Sequence, residues 1–585
     1  MDAEIQKRVQ TWLDGPYDME TKEKISLLLK EDPKQLVDAF YTDLSFGTAG
    51  LRGIMGVGTN RMNEYIVEMT TQGLSNYLLQ KKKSEPIHVV IGFDSRSNSS
   101  LFAEKTASVL AANGITAYLL NEIRPTPFVS FICREKKCTA AIMITASHNP
   151  PEYNGYKVYW SDGAQVVPPH DVGIINEVRK ITSMQQVKMA ASTSPFIERI
   201  GDEWDEEYIK AISTLQNYPE ECKSKGFQLR IVYTSLHGTG ITLAPRALRK
   251  WGFTSIDLVA DQVIPDGNFP TVHFPNPELK PALEKGVQVL KEIRADILLA
   301  TDPDADRIGV VTLEKGEPVY FTGNEIASIC VEYLCDTLTK LKKVPSRGAF
   351  ITTIVTTELL KKIASSYGIA CFEVLTGFKY IGEMIHSWDN SETGYHFIFG
   401  AEESCGYLLG SFARDKDAVV SACLLSEIAL HCKLQNMTFS DYLARIYKKY
   451  GVYKEKQLSM SFSPGKEGEE EISSIMHHLR EHLPTEFAGK KVFAIEDYQK
   501  STRYILQSSK EEHLHLPVSD VLVFIFEDQS KLVIRPSGTE PKVKFYGSSQ
   551  LPSKGNLEEE KKECERLVDD LLKKSQEFCK NILSK

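Results

Sequence analysis

The chain has 585 residues, more than one hydrophobic core accommodates, so about three to five domains are expected. With 42% hydrophobic and 25% charged residues, its composition is that of an ordinary globular protein. The formal net charge is −9 and the basic residues are dispersed, which excludes the electrostatic footprint of a nucleic-acid binder; an anionic substrate must be held by local groups.

Residues 1–40 carry charged faces and apolar residues at helical spacing, which predicts helices. The opening "MDAEIQKRVQTWLDG" has no apolar h-region, so no secretory signal is expected. No apolar run reaches the ~18 residues of a membrane span. The expected location is cytoplasmic, with neither membrane nor nucleic acid as partner. The run Lys81–Lys83 reads as solvated surface. Three later stretches share one form: "IHVVIGFDSR" (87–96), "LRIVYTSLHGTG" (229–240) and "GAFITTIVTTELL" (348–360) each read as buried strand, polar turn, then helix. Strands alternating with helices predict α/β layers, and the repetition suggests three related domains. The polar stretch 183–195 and the Pro-, Gly- and Glu-rich stretch 461–471 read as boundaries. Beyond the second, "VLVFIFEDQSKLVIRPSG" predicts two strands around a polar turn. "NLEEEKKECERLVDDLLKKSQEFCKNIL" predicts one long amphipathic helix, giving a smaller α+β domain. The 11 cysteines form no CxxC pair, as expected of reduced, mostly buried thiols.

Four stretches carry chemistry. In "MITASHNPPEYNGYKVYW" (143–160) an apolar strand delivers Ser147 onto a loop that Pro150 stiffens, because proline removes a backbone donor and restricts Asn149. A plain surface turn is the bland alternative. Ser147 and His148 also suggest an acyl-transfer hydrolase, but adjacent residues rarely face one another in an extended loop, and no G-x-S-x-G elbow surrounds the serine. In "ADILLATDPDADRIGV" (295–310) a buried strand delivers Asp302, Asp304 and Asp306 at spacing two. Three such carboxylates repel unless a cation sits among them, and hard oxygens suit Mg²⁺ or Ca²⁺. An EF-hand fails here, since Arg307 and Leu313 stand where glycine and glutamate are required. In "VIRPSGTEPKVKFY" (533–546), Arg535, Ser537, Gly538 and Thr539 offer a guanidinium fork, hydroxyls and loop amides suited to a phosphate dianion, and Lys542 and Lys544 add charge. In "FGAEESCGYLLGSFARDKDA" (399–418), Glu402 and Ser404 would face the same way on an extended loop, a pairing suited to sugar hydroxyls. "GVGTNR" and "HGTGIT" lack the third glycine of a dinucleotide fingerprint, and no P-loop occurs. A metal-assisted phosphoserine, a sugar grip and a second phosphate cradle together describe a phosphosugar mutase.

These motifs, in this order, resemble the α-D-phosphohexomutase superfamily over nearly the whole chain: "TASHNP" the phosphoserine loop, "DPDADR" the metal loop, "GAEESCG" the sugar loop and "RPSGTEPK" the phosphate loop. The resemblance implies an α/β fold of four domains around a cleft, three related mixed α/β domains and a C-terminal α+β domain of the TATA-box-binding-protein type. The corresponding ranges here are 1–200, 201–318, 319–455 and 456–585. It implies that Ser147 bears the phosphate and that Asp302, Asp304 and Asp306 hold one Mg²⁺ with the seryl phosphate. His148, Lys157, Arg52 and Lys416 become catalytic candidates, Lys416 for proton transfer. Arg307, Glu402, Ser404, Arg535, Ser537, Gly538 and Thr539, with Thr376, Gly377 and Lys379 of "LTGFKYIG", become substrate-binding candidates.

The implied reaction interconverts glucose 1-phosphate and glucose 6-phosphate through glucose 1,6-bisphosphate, which is also the activator. The intact Glu-x-Ser pair leans toward glucose, whereas the "GTAGLRG" form resembles a branch with pentose activity. Phosphomannomutase and phosphopentomutase are the alternatives. A silent sugar-phosphate binding protein is disfavoured, because neither the nucleophile nor any metal ligand is missing. A hexose phosphate is the expected partner, and a monomer or weak homodimer the expected state.

Overall fold

The computed structural model describes residues 2–44, 50–82, 85–463, 466–537 and 541–583. They form two compact units: residues 1–323, 378–400 and 404–436, and residues 324–377, 401–403 and 437–585.

The first unit begins with three helices, Ala3–Asp14, Met19–Glu31 and Pro33–Phe40. Each is capped by an aspartate, Asp2, Asp18 or Asp32, whose carboxylate accepts an otherwise unpaired first-turn amide. A six-stranded mixed sheet follows, in the order Leu51–Ile54, Tyr153–Trp160, Ala140–Ile144, His88–Phe93, Thr116–Leu120, Ile197–Ile200. Ala140–Ile144 lies inside this sheet, parallel to His88–Phe93 and antiparallel to Tyr153–Trp160. That position explains its unbroken apolar run, since both of its faces are buried. A second, five-stranded sheet runs Glu317–Phe321, Ile308–Glu314, Ile297–Thr301, Ile231–Thr234, Ile256–Leu258. Its core gathers Val232, Leu283, Leu290, Leu298, Ala300 and Val311. The helices Phe378–Asp389 and Ala418–Leu434 complete the unit.

In the second unit the strands Gly348–Thr353 and Ala370–Val374 pair in parallel. An eight-stranded antiparallel sheet follows, running Val452–Ser461, Lys542–Leu551, Lys531–Pro536, Leu522–Phe526, Lys490–Asp497, Thr502–Ile505, Lys510–His513, with Glu486–Phe487 paired to Lys490–Asp497. Leu522, Phe524 and Phe526 alternate onto one face and meet Ile475 and Met476 of the helix Lys466–Glu481 and Val568 and Leu571 of the helix Leu557–Leu583.

The three strand–turn–helix openings, the N-terminal helices and the long C-terminal helix stand as the sequence predicts. The two boundary readings need correction. Residues 183–195 lie inside the first sheet's span, because the strand Ile197–Ile200 returns to pair with Thr116–Leu120. Within 461–471 the charged run from Lys466 is the start of a helix rather than a linker, and the strand Val452–Ser461 before it already belongs to the C-terminal sheet. Polar composition marks solvent exposure, which a helix surface and a connection inside a domain share with a linker.

Candidate active site

Ser147 follows the strand Ala140–Ile144 and adopts a left-handed backbone, φ 53°. For a non-glycine residue this costs on the order of 1–3 kcal/mol, so the surroundings must enforce it. They do so through a buried polar chain. The Ser147 amide donates to Thr145 Oγ1 (2.8 Å), whose hydroxyl donates to Asp94 Oδ2 (2.6 Å). Asp94 Oδ1 accepts from the Arg96 amide (3.0 Å) and Ser99 Oγ (2.7 Å). The Arg96 guanidinium then donates to the carbonyls of Ser147 (2.6 Å), Pro150 (2.7 Å), Tyr153 (3.1 Å) and Asn149. The loop is therefore fixed from beneath by one arginine. Arg52 reaches Asn149 Oδ1 at 3.3 Å.

One expectation about this loop is overturned. Ser147 Oγ and His148 Nδ1 do face one another, 3.1 Å apart, because the positive φ folds the backbone between them. Burial and the nearby Arg307 and Arg52 guanidiniums push His148 well below its ordinary pKa, so the ring is a neutral hydrogen-bond partner.

The hydroxyl of Ser147 also donates to Asp302 Oδ2 at 2.9 Å. Asp302 stands just beyond the buried strand Ile297–Thr301, and the turn it opens is closed by amide donation from Asp306 (3.0 Å) and Arg307 (2.9 Å) to Asp302 Oδ1. Asp304 Oδ2 accepts from Thr126 Oγ1 and from Lys157 Nζ, each at 2.8 Å. Asp306 Oδ2 lies 3.3 Å from Lys157 Nζ and 3.1 Å from Lys416 Nζ. All three carboxylates are buried, and one oxygen from each falls within 4.8 Å of the others. Asp304 Oδ1 and Asp306 Oδ1 are buried with no hydrogen-bond donor. Burial, then Asp304 and Asp306, push Asp302 well above the carboxylate range. Asp306 is held low by Lys416, Lys157 and Arg307 against the effect of burial. Two orphaned anionic oxygens in an all-oxygen cluster fit a hard divalent cation, which would also relieve the repulsion on Asp302.

Lys157 arrives from the strand Tyr153–Trp160, opposite Met143. Burial opposes its charge, but Asp304, Asp306 and Asp415 raise its pKa on balance. Lys416 passes over Gly406, where a Cβ would lie 2.1 Å from Lys416 Cδ, so a larger residue there would displace the lysine side chain. Asp415 accepts from Lys416 Nζ (3.2 Å), Tyr159 Oη (2.9 Å) and Gln165 Nε2 (3.0 Å). Arg307 Nη1 donates to Glu278 at 2.7 Å. Lys379, in the first turn of the helix Phe378–Asp389, is buried, and that burial lowers its pKa.

In the second unit, Glu402 Oε1 accepts from the Gly377 amide at 3.0 Å, so "GAEES" and "LTGFK" meet. Gly377 has φ 124°, which favours glycine. Thr376 Oγ1 is buried without a partner. Ser404 lies in a turn of the first unit, followed by Cys405 at φ 60°, so the extended alternation expected to align it with Glu402 is absent. Arg535 stands opposite Lys544 in the sheet, its Nη2 3.5 Å from Tyr546 Oη and its Nε buried without an acceptor. Burial raises the Tyr546 phenol to about 12, and Arg535, Glu403 and Glu402 all act on it, so the sugar and phosphate motifs share this neighbourhood. Ser537 donates its amide to the Lys542 carbonyl at 2.8 Å. Gly538 and Thr539 lie outside the described residues.

Sequence reasoning missed Asp94, Arg96, Thr126 and Asp415. The first two had a signal: in "GFDSR" an acid and an arginine stand two apart where a buried strand ends, and such a pair in apolar surroundings requires partners.

Residues 43–185, 206–316 and 322–450 match "Phosphoglucomutase/phosphomannomutase, alpha/beta/alpha" domains I, II and III respectively. A phosphoglucomutase of Staphylococcus haemolyticus is 36% identical over 508 residues, 87% of this chain and 90% of the relative. One from Staphylococcus aureus strain MSSA476 is 37% identical over 514 residues, with the same 87% and 90% covered. Among solved structures, a putative phosphomannomutase of Thermus thermophilus shares the fold at TM-score 0.67 and 21% identity, over 92% of this chain and 99% of that one. The parafusin phosphoglucomutase of Paramecium does so at TM-score 0.68 and 17% identity, over 93% and 96%. The family models thus match three α/β/α domains, and in this chain an antiparallel C-terminal sheet follows them. The chain belongs to the phosphoglucomutase/phosphomannomutase family.

Proposed function

We propose that this phosphosugar mutase acts as a phosphoglucomutase, interconverting glucose 1-phosphate and glucose 6-phosphate. The observation that carries the reading is the 2.9 Å contact of Ser147 Oγ with Asp302, inside a buried carboxylate cluster that retains two unsatisfied oxygens. Asp302, Asp304 and Asp306, with the Ser147 oxygen, would hold one Mg²⁺, which neutralises charge on the transferring phosphoryl group.

The remaining chemistry belongs to the chain. The phosphoryl group leaves Ser147 Oγ as its P–O bond breaks and a new bond forms to the free hydroxyl of a hexose monophosphate. Lys157 and Arg52 bring positive charge to the phosphate oxygens. Lys416 is assigned as the proton carrier: its ammonium gives a proton as it takes that of the sugar hydroxyl, and the proton ends on the Ser147 oxygen that the phosphoryl group leaves. Glu402 and Ser404 bind sugar hydroxyls, aided by Thr376, Gly377 and Lys379. Arg535, Ser537, Gly538 and Thr539 hold the phosphate that does not react. The glucose 1,6-bisphosphate so formed turns around, and its other phosphate returns to Ser147. Four functional ranges, 1–200, 201–318, 319–455 and 456–585, would each contribute one of these loops.

The intact Glu402-x-Ser404 pair supports glucose as the sugar. Turnover of glucose 1-phosphate, mannose 1-phosphate and ribose 1-phosphate, each with a trace of glucose 1,6-bisphosphate and Mg²⁺, tests the choice. Glucose 1-phosphate should give the highest kcat/KM. A higher value for mannose or ribose 1-phosphate overturns the glucose assignment, and turnover of none overturns the mutase reading.

A further inference from the structure

The stretch "TSLHGTG" (234–240), excluded as a nucleotide loop, lies outside the four chemistry-bearing motifs. It follows the strand Ile231–Thr234 and repeats the construction of the Ser147 loop. The Leu236 amide donates to Thr234 Oγ1 at 3.0 Å, as the Ser147 amide does to Thr145 Oγ1. Leu236 is left-handed, φ 46°, as Ser147 is. Leucine has no nucleophile, so the second loop performs another task.

That task is visible in what it touches. Gly238 lies flat against the metal loop: a Cβ there would fall 2.2 Å from Pro303 Cα. Thr239 donates twice to the Pro303 carbonyl, from its amide at 2.7 Å and its hydroxyl at 2.9 Å. Pro303 stands between two of the clustered aspartates. On the other side, His237 pins the segment 264–271, with Nδ1 donating to the Ile264 carbonyl (3.1 Å) and Nε2 hydrogen-bonded to Thr271 Oγ1 (2.8 Å). This segment carries Phe269, buried and left-handed at φ 46°. Its ring centroid lies 4.9 Å from the Arg96 guanidinium carbon. Arg96 is the residue that holds the Ser147 carbonyl.

We infer that the 235–240 loop is a positioning element for both halves of the reaction centre. Through Thr239 it sets the aspartate loop, and through His237 and Phe269 it sets Arg96 and with it the phosphoserine loop. The physical reason is that two loops that must meet within hydrogen-bond distance are braced by one third loop, which touches the aspartate loop itself and, through the 264–271 segment, reaches the arginine beneath the serine. The inference rests on the metal-dependent mutase reading.

The test uses the full-length, chelator-stripped protein and two readouts: Mn²⁺ affinity by direct titration, and the rate of Ser147 phosphorylation by glucose 1,6-bisphosphate at saturating Mg²⁺, followed by intact mass. Thr239→Val should weaken Mn²⁺ binding about 10-fold or more, as loss of a contact behind the ligands does, and Thr239→Ser should restore it. Phe269→Leu should slow phosphorylation by about 10- to 100-fold through misplacement of the serine, leave Mn²⁺ affinity and the melting temperature unchanged, and be rescued by Phe269→Tyr. Wild-type Mn²⁺ affinity in Thr239→Val overturns the inference. So does a Phe269→Leu variant whose two readouts fall together with its melting temperature, which would mark mere packing. A wild-type protein that binds no Mn²⁺ instead overturns the mutase mechanism itself.

Discussion

Ser147 donates its hydroxyl to Asp302 across 2.9 Å, although 155 residues separate the two in the chain. The nucleophile candidate and the metal candidate are thus one site, and removal of either has a defined consequence. Ser147→Ala should reduce mutase turnover to the uncatalysed background and abolish the mass increase of one phosphate on incubation with glucose 1,6-bisphosphate. Its circular dichroism should match the wild type, because the substitution deletes a single oxygen and leaves the Cβ in place. Persistent turnover would falsify the phosphoserine scheme.

Thr126 lies outside the four motifs, yet its hydroxyl donates to Asp304 Oδ2 at 2.8 Å and its amide to the Asp304 carbonyl at 2.9 Å. Thr126→Val keeps the amide bond and the shape and deletes the hydroxyl. Groups behind metal ligands contribute about 10- to 100-fold in affinity or activity. The Mg²⁺ concentration for half-maximal activity should rise by that factor, with KM for glucose 1-phosphate unchanged at saturating Mg²⁺.

Arg535 should grip the non-reacting phosphate in both substrate orientations, with its buried, unpaired Nε ready to donate. A charge-assisted hydrogen bond contributes about 1.5–3 kcal/mol, so Arg535→Ala should lower kcat/KM by roughly 10- to 150-fold, mainly through KM. Arg535→Lys should recover little, because an ammonium lacks the planar fork. A normal KM in the alanine variant would reduce this loop to a structural turn.

Glu455 provides a pH-dependent prediction away from the site. Burial raises its pKa from 4.5 to about 7, against the pull of Thr357 and Lys454, and its Oε1 has no donor. Well below pH 4.5 the group is protonated folded or unfolded and costs nothing. As pH rises toward 7 the unfolded chain ionises first, so stability is lost through that window. At about 1.36 kcal/mol per pKa unit the loss approaches about 3 kcal/mol. Glu455→Gln should flatten this slope, raising the melting temperature at about pH 8 and leaving it unchanged at about pH 4. Equal shifts at both pH values would mean that the carboxyl is not titrating.

The chemistry-bearing residues were legible because each motif is local. A buried strand running into "DPDADR" or "TASHNP" announces a site by placing charge or a nucleophile where an apolar run ends. The elements were legible for a similar reason: the apolar run Ala140–Ile144, bounded by polar turns, reads as a strand buried on both faces, and the long helix Leu557–Leu583 carries its own helical periodicity. Ser147 and the three aspartates could therefore be named as candidates from residue type and spacing, whereas Lys157 came only from the family resemblance, which also supplied the roles.

What the sequence could not reveal was which local feature faces which. The folded Ser147–His148 pair depends on a left-handed φ that a Ser–His dipeptide does not dictate, and the turn at Ser404 depends on Cys405 adopting another. Thr126 and the 235–240 loop look like ordinary helix and glycine-rich residues until the strands from distant parts of the chain are laid side by side. Their partners lie 178 and 64 residues away. Secondary structure follows from periodicity along the chain. The support of a reaction centre follows from hydrogen bonds and packing between segments that only the assembled sheets bring together.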